Sequence, residues 1–163
     1  MQFHGFRTLV LGVATSAISV IASAQVPQYG TSINHETARK VVAAAIVEAR
    51  KMSLPMAVAV VDNAGQLVAF ERMDNTQTGS IEVSQDKAVS SAIFRRPTKA
   101  FQDAVAAGGA GLRVLTLRGA NAVEGGVVLT VDGKIIGALG ISGGTSEQDG
   151  MVAKVGAEAL TAK

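Results

Sequence analysis

An Asp-Gly pair at positions 132 and 133 separates two apolar runs in the C-terminal third of the chain. The runs cover residues 126–131 and 134–141. A two-residue Asp-Gly connection between such runs is the strongest short signal for a β-hairpin, because both residues tolerate the positive φ of the turn. This part of the chain is therefore predicted to form two antiparallel strands. Helices can pack against the faces of a sheet that contains them.

Residue spacing predicts the other elements around this hairpin. Apolar residues at three- and four-residue intervals predict helices over 35–51, 80–95 and 99–107, and a last helix from residue 146. Apolar runs bounded by turn residues predict strands over 56–61, 66–72 and 113–116. About five mainly antiparallel strands with helices on both faces make an α/β domain of three layers, α/β/α.

Side chains that can cap helices mark where three of the helices begin. Asn34 is placed to accept a hydrogen bond from the first turn of the first helix. Thr98 can cap the third helix, which follows Pro97. At the last helix, Thr145 and Gln148 have the spacing of a capping box.

Residues 1–24 have the three-part pattern of a secretory signal peptide. Arg7 precedes an uncharged apolar stretch, which ends in the small-residue cleavage pattern Ala-Ser-Ala at 22–24. The stretch is shorter than the roughly 20 residues that a membrane-spanning helix needs. We therefore expect an exported protein, periplasmic or extracellular, without a membrane span after cleavage. It would consist of a flexible lead over 25–31 and one domain over 32–163.

The charge and cysteine content exclude several classes of function. The chain has no cysteine, so disulfides, thiolate metal sites and thiol catalysis are excluded. Its 15 basic and 13 acidic residues are nearly balanced, and adjacent cations occur only as pairs, such as Arg95-Arg96. Nucleic-acid binding needs a clustered basic face, so we expect no nucleic-acid partner. No spacing of histidine and acidic residues predicts a metal site.

The segment 125–149 closely resembles the signature of the GlcG/HbpS family. It reads Gly-Gly-Val-Val-Leu-Thr-Val-Asp-Gly-Lys-Ile-Ile-Gly-Ala-Leu-Gly-Ile-Ser-Gly-Gly-Thr-Ser-Glu-Gln-Asp. Three further stretches agree in order, at 57–65, 70–74 and 80–98, so that the resemblance covers roughly 32–162. The family comprises haem-binding or haem-degrading domains, which are also appended to some corrinoid adenosyltransferases. The resemblance implies a profilin-like fold, a small-molecule ligand, haem as a cofactor and a homo-oligomer.

Two positions depart from the pattern of this family. Val128 stands where relatives often have proline, which frees one backbone N–H in a strand. Gly150 stands where many relatives have an acidic residue. A glycine there weakens the start of the last helix, beside the expected pocket.

The Gly-rich loop before the last helix is the first candidate binding site. Gly143, Gly144 and Thr145 lead into a helix N-terminus, where free N–H groups and the helix dipole can bind a carboxylate or a haem propionate. We predict the ligand pocket beside this loop, with Glu147 as a further ligand-binding residue. As an alternative, Glu147 and Asp149 could satisfy the helix N-terminus without a ligand or bind a cation, and the glycines could only turn the chain.

Two cations in family-like segments are candidates for holding a ligand carboxylate. Arg72 ends a strand and Lys87 lies on a helix among small residues. Lys87 has no acidic residue three or four positions away, so any partner must come from another element. Thr98 is a further ligand-binding candidate, and Glu124 could be an acid/base group at the mouth of the pocket. For each of these, the alternative is an ordinary side chain in solvent or, for Thr98, a helix cap.

Signal-peptide cleavage would remove His4 and leave His35 as the only histidine. Histidine is a common axial ligand of haem and the usual general base near neutral pH. His35 begins the first helix, where it could also be a bystander in solvent. We take it as the candidate axial ligand.

Three functions remain open at this point. The first is an exported small-molecule-binding protein that takes haem or another carboxylate-bearing molecule. The second is an isomerase, tautomerase or haem-degrading enzyme, with Lys87 or Glu124 as the acid/base group and Arg72 holding the substrate carboxylate. The third is an oligomeric assembly or sensor-accessory protein, because Ala- and Gly-rich helix faces allow subunits to pack closely.

Overall fold

The computed structural model describes residues 1–2 and 26–161. Its helices are α1 (His35–Lys51), α2 (Ser80–Phe94), α3 (Lys99–Ala106) and α4 (Ser146–Glu158). Its strands are β1 (Ala57–Val61), β2 (Leu67–Arg72), β3 (Gly126–Val131) and β4 (Lys134–Ser142). Residues 3–25, which include most of the predicted signal peptide, lie outside the described part of the chain. No helix in the described ranges is both long and apolar enough to cross a membrane.

The four strands form one antiparallel sheet in the order β2-β1-β4-β3. The hairpin predicted at Asp132-Gly133 is confirmed, and both turn residues have positive φ, 50° and 71°. Helices cover both faces, so the three-layer α/β/α class is also confirmed. Helices α1 and α4 pack on one face, where Val58 and Val60 are buried, and α2 packs on the other against Ala59 and Val61.

The prediction of a strand over 113–116 is wrong, and the sheet has four strands rather than five. These residues belong to a 3-10 helix, Gly109–Thr116, which packs against α3. Only Val114 of this segment is buried, so the alternating burial of a strand is missing. Gly111 lies so close to the carbonyl of Ala104 that any side chain at 111 would overlap it.

Two of the three predicted helix caps are confirmed. The Asn34 side chain accepts a hydrogen bond from the Thr37 N–H at 2.8 Å, and the capping box at the start of α4 is complete. Thr98 is not a side-chain cap of α3. Its buried hydroxyl instead accepts a hydrogen bond from the Gly126 N–H at 2.9 Å, because the amide that begins β3 needs a buried acceptor.

Part of the predicted lead, 25–31, contacts β4. The N–H of Ile135 donates to the carbonyl of Gln28 at 2.8 Å, and the N–H of Gly30 donates to the carbonyl of Ile135 at 2.7 Å. The Tyr29 hydroxyl donates to the carbonyl of Ala92 at 2.8 Å. These contacts connect the segment before α1 to both β4 and the end of α2.

Candidate functional site

One end of the sheet brings together most of the candidate residues. Ala57 pairs with both Arg72 and Ser142, so β1 begins where β2 and β4 end. Gly126, at the start of β3, pairs with Gly140 near the same end. We call this the loop end of the sheet, because the Gly-rich loop follows Ser142 there.

A buried ion pair joins α2 to α4 at the loop end. The Lys87 ammonium lies 2.7 Å from the Asp149 carboxylate and donates a second hydrogen bond to the carbonyl of Ile141 at 3.0 Å. The two side chains are 1% and 4% exposed. Burial raises the pKa of the Asp149 carboxyl, while Lys87 and the N–H of Gly144 act in the opposite direction. The partner that Lys87 lacks on its own helix is therefore Asp149.

The backbone of Gly125 packs directly against this ion pair. Its φ is 124°, and a side chain there would place Cβ 2.8 Å from Asp149 Cβ and 2.9 Å from Lys87 Nζ. Only a residue without a side chain can come this close to the ammonium group. Lys87 therefore has a structural role, because its buried ammonium joins α2 to α4 and β4. It does not line a cavity with the other predicted ligand residues.

The N-terminus of α4 already has acceptors from its own chain. The N–H of Gly144 donates to the Asp149 carboxylate at 2.9 Å, and the N–H of Thr145 donates to the Gln148 side chain at 2.9 Å. The pKa of Glu147 is lowered, because its carboxylate accepts from its own N–H and from the Thr145 hydroxyl. The backbone N–H groups that were expected to bind an anion therefore donate to acidic and amide side chains of the same loop and helix.

Glu124 occupies the space that Gly150 leaves open. A side chain at position 150 would overlap the Glu124 carboxylate. The backbone N–H of Glu124 donates to the Gln102 side chain at 2.8 Å, which fixes the loop before β3. Glu124 is half-buried, and the absence of an acidic residue at position 150 is what gives its carboxylate room.

His35 lies on a different part of the molecule, in a groove between α1 and β2. The groove has a volume of about 440 Å³. Its lining residues are His35, Arg39, Val42 and Ala43 of α1 and Val68, Ala69, Phe70 and Glu71 of β2. Residues four positions apart share one face of a helix, so His35 and Arg39 lie on the same side of the groove. The groove therefore combines an imidazole, a guanidinium and a carboxylate group with apolar side chains.

The structure does not bring His35 together with the Gly-rich loop. At 1.5 Å per residue, α1 carries the chain about 22 Å from His35 to Arg50. Arg50 lines a second cavity together with Arg72, so that the predicted carboxylate clamp also lies far from the histidine. Sequence analysis missed Arg39 and Arg50, although Arg39 could have been found from its four-residue spacing to His35.

Comparison with known proteins identifies the family of the chain. The family model described as haem degrading protein HbpS-like matches residues 33–158. The chain belongs to this family. Protein GlcG of Escherichia coli K12 is 38% identical over 110 residues, which cover 68% of this chain and 81% of GlcG. The family predicted from the signature at 125–149 is thus confirmed.

Solved structures agree with this assignment. The Klebsiella pneumoniae protein ORFY superposes with a TM-score of 0.75 at 27% identity, covering 87% of this chain and 99% of ORFY. The PduOC:haem complex superposes with a TM-score of 0.71 at 28% identity, covering 79% of this chain and 95% of PduOC. The protein therefore shares its fold with PduOC, whose structure was determined as a complex with haem.

Proposed function

We propose that this protein binds haem in the groove between α1 and β2, with His35 as the axial ligand. The observation that carries the proposal is the convergence of His35, Arg39 and apolar side chains in one groove. Membership of a haem-binding family and the likeness to the PduOC:haem complex support the choice of ligand.

The residues of the groove fit the chemistry of haem. Imidazole nitrogen is a standard axial ligand of haem iron. The Arg39 guanidinium can bind a propionate through charge-assisted hydrogen bonds. Val42, Val68 and Ala69 supply apolar surface against which a porphyrin ring can lie. Haem bound there would supply redox and oxygen chemistry, while the protein orients it and limits its access to water.

Haem titration of the purified chain without residues 1–24 tests this proposal. We expect a saturable Soret band that shifts or disappears in His35→Ala, because the iron loses its axial nitrogen. Arg39→Ala should weaken binding about tenfold by removing one charge-assisted hydrogen bond. Lys40→Ala is the matched control, because Lys40 is the adjacent cation and pairs with Glu36 in solvent. An unchanged spectrum in His35→Ala, or equal losses in the two cation variants, would contradict the assignment of the groove.

Binding is favoured over the enzymatic alternative by the position of Lys87. An acid/base group must reach the proton that it transfers. The Lys87 ammonium is buried and bonded to Asp149 and to the carbonyl of Ile141. In a panel of oxo-acid substrates, we therefore expect no turnover that depends on Glu124 or Arg72, as tested with Glu124→Gln and Arg72→Ala. Such turnover would favour the enzyme.

We also propose that the protein is exported and acts in the periplasm or outside the cell. The charged start, the apolar stretch and the Ala-Ser-Ala sequence of residues 1–24 support this proposal. Intact-mass measurement of the protein recovered from the periplasm or the medium should give a chain that begins at Gln25. Recovery of the full-length chain in the cytoplasm alone would contradict export.

A further inference from the structure

The outer edge of β3 is open beyond Gly126. β3 is an edge strand of the sheet, and β4 is the strand that pairs with it. Position 128 of β3 is also one of the two departures from the family pattern, with valine where relatives often have proline. We propose that two copies of this chain pair through this edge, with their β3 strands antiparallel and centred on Leu129. Their two four-stranded sheets would then form one continuous sheet.

Alternate residues of β3 direct their backbone groups away from β4. At one end of β3, the N–H of Ile141 donates to the carbonyl of Gly125 at 2.9 Å. At the other end, the two-residue turn makes Val131 and Lys134 a hydrogen-bonded pair. Hydrogen-bonded positions recur at every second residue of an antiparallel strand, so the odd-numbered residues of β3 bond to β4. The N–H and C=O groups of residues 126, 128 and 130 therefore point to the outer edge.

Thr98 closes this edge at Gly126 and leaves the rest of it open. The N–H of Gly126 donates to the Thr98 hydroxyl at 2.9 Å, and the N–H of Thr98 donates to the carbonyl of Gly126 at 3.0 Å. Within residues 26–161, no hydrogen bond from another element reaches the outward groups of Val128 or Thr130. These two residues offer two donors and two acceptors to an added strand.

The occupied position at Gly126 selects the register of the pairing. Two identical antiparallel strands pair symmetrically about one residue. About Leu129, Val128 of each copy lies opposite Thr130 of the other, so every open donor meets an open acceptor. Pairing about Val128 would need Gly126, whose outward groups are already bonded. Pairing about Thr130 would need Asp132, which lies in the turn.

Apolar side chains beside this edge fit the same register. Val127 and Leu129 lie on the face of the sheet that α1 and α4 cover, so Val131 lies on that face too, where it is 41% exposed. Pairing about Leu129 places Val131 of each copy beside Val127 of the other. Val127 lines a groove of about 350 Å³ between β3 and α4, which is open to receive that side chain.

The charges of this surface favour a second copy as the partner. The charged residues that line the groove are Lys154 and Glu158, one of each sign. A two-fold axis brings the same surface of both copies together, and a surface of one sign would repel itself there. Residues 126–131 also contain neither proline nor a charged residue, with which edge strands commonly prevent pairing.

Cysteine cross-linking tests the register, because the chain has no cysteine of its own. Val128→Cys and Thr130→Cys are prepared without residues 1–24, mixed and oxidised with diamide. Opposite residues of this type have Cα atoms about 5.5 Å apart, within the range of a disulfide. We expect a cross-linked dimer from the mixture and much less from either variant alone, because like positions lie diagonally, about 7–8 Å apart. Val128→Cys mixed with Val131→Cys is the matched control, since residue 131 lies on the other face.

Val128→Pro tests the outward N–H. Proline is tolerated in an edge strand where its N–H would face outward, so the circular dichroism spectrum should not change. Amide hydrogen exchange at Thr130 should become slower as the protein concentration rises in the wild type and in Val128→Ala, which keeps the N–H. In Val128→Pro, the concentration needed for this protection should rise at least about tenfold, because each copy loses one hydrogen bond.

Several outcomes would overturn the proposal. These are no cross-link between positions 128 and 130, an equal cross-link in the control mixture, or the same concentration dependence in Val128→Pro and Val128→Ala. Association through β2, at the opposite edge of the sheet, would not form the cross-link between 128 and 130. The haem groove also lies at β2, so Val128→Pro should bind haem as the wild type does, and either proposal can fail alone.

Discussion

The buried ion pair between Lys87 and Asp149 should be among the most sensitive contacts of the fold. Removing one member of a buried pair leaves the other charge without a partner in a medium of low polarity, which costs about 3–5 kcal/mol. Lys87→Met keeps the apolar stem and removes only the ammonium, so it isolates this effect. The expected loss is a large part of the roughly 5–15 kcal/mol that stabilises a typical domain.

Urea denaturation followed by far-UV circular dichroism measures this loss. With a typical slope of about 2 kcal/mol per molar, the midpoint should fall by about 2 M. The chain offers a matched control in the pair between Lys99 and Asp103, which has the same distance of 2.7 Å but side chains that are 51% and 59% exposed. Lys99→Met should cost no more than about 1 kcal/mol, because water screens exposed pairs.

A double-mutant cycle identifies the cause of the loss. Lys87→Met combined with Asp149→Asn leaves no buried charge, and the Asn oxygen can still accept from the N–H of Gly144. We expect the double variant to be more stable than the sum of the single losses predicts, by about 1–3 kcal/mol. If Lys87→Met costs no more than Lys99→Met, or if the single losses add within about 0.5 kcal/mol, the reasoning about burial is refuted.

Three further outcomes follow from contacts near this pair and from the edge of the sheet. Gly125→Ala should lower the free energy of unfolding well beyond Gly133→Ala, because both have positive φ but only position 125 lacks space for Cβ; equal losses would contradict this. The pKa of Glu147, measured by NMR, should lie below the ordinary glutamate value and rise in Thr145→Ala. Since this folded-state pKa is depressed, its contribution to stability is present above the ordinary glutamate pKa and is lost as the pH falls through the depressed value. Light scattering should give a homo-oligomer, because edge strand β2 exposes Leu67; a plain monomer would contradict assembly.

Features that depend on neighbouring residues could be predicted closely from the sequence. The Asp132-Gly133 turn, the Asn34 cap and the capping box at Thr145 all depend on residues within four positions of one another. The apolar periods placed the helices and four of the strands within a few residues of their observed ends. Family membership could also be predicted, because the signature at 125–149 is continuous.

Features that depend on distant residues were predicted incompletely or wrongly. The 113–116 segment has residues typical of a strand, but its packing against α3 and the close approach of Gly111 to Ala104 make it a 3-10 helix. Thr98 has the residue type and position of a cap, yet its hydroxyl is used by Gly126, 28 residues away. Local signals cannot decide between such competing partners.

The sequence by itself determined the hairpins, the helices and the family, because short-range hydrogen bonding and apolar periodicity act within a few residues. Only the tertiary structure decided which side chains meet. It paired Lys87 with Asp149 across 62 positions, and it separated His35 from the Gly-rich loop along the length of α1. The physical reason is that burial, and with it the strength of an ion pair or the composition of a groove, depends on how helices lie on the sheet, which spacing along the chain does not encode.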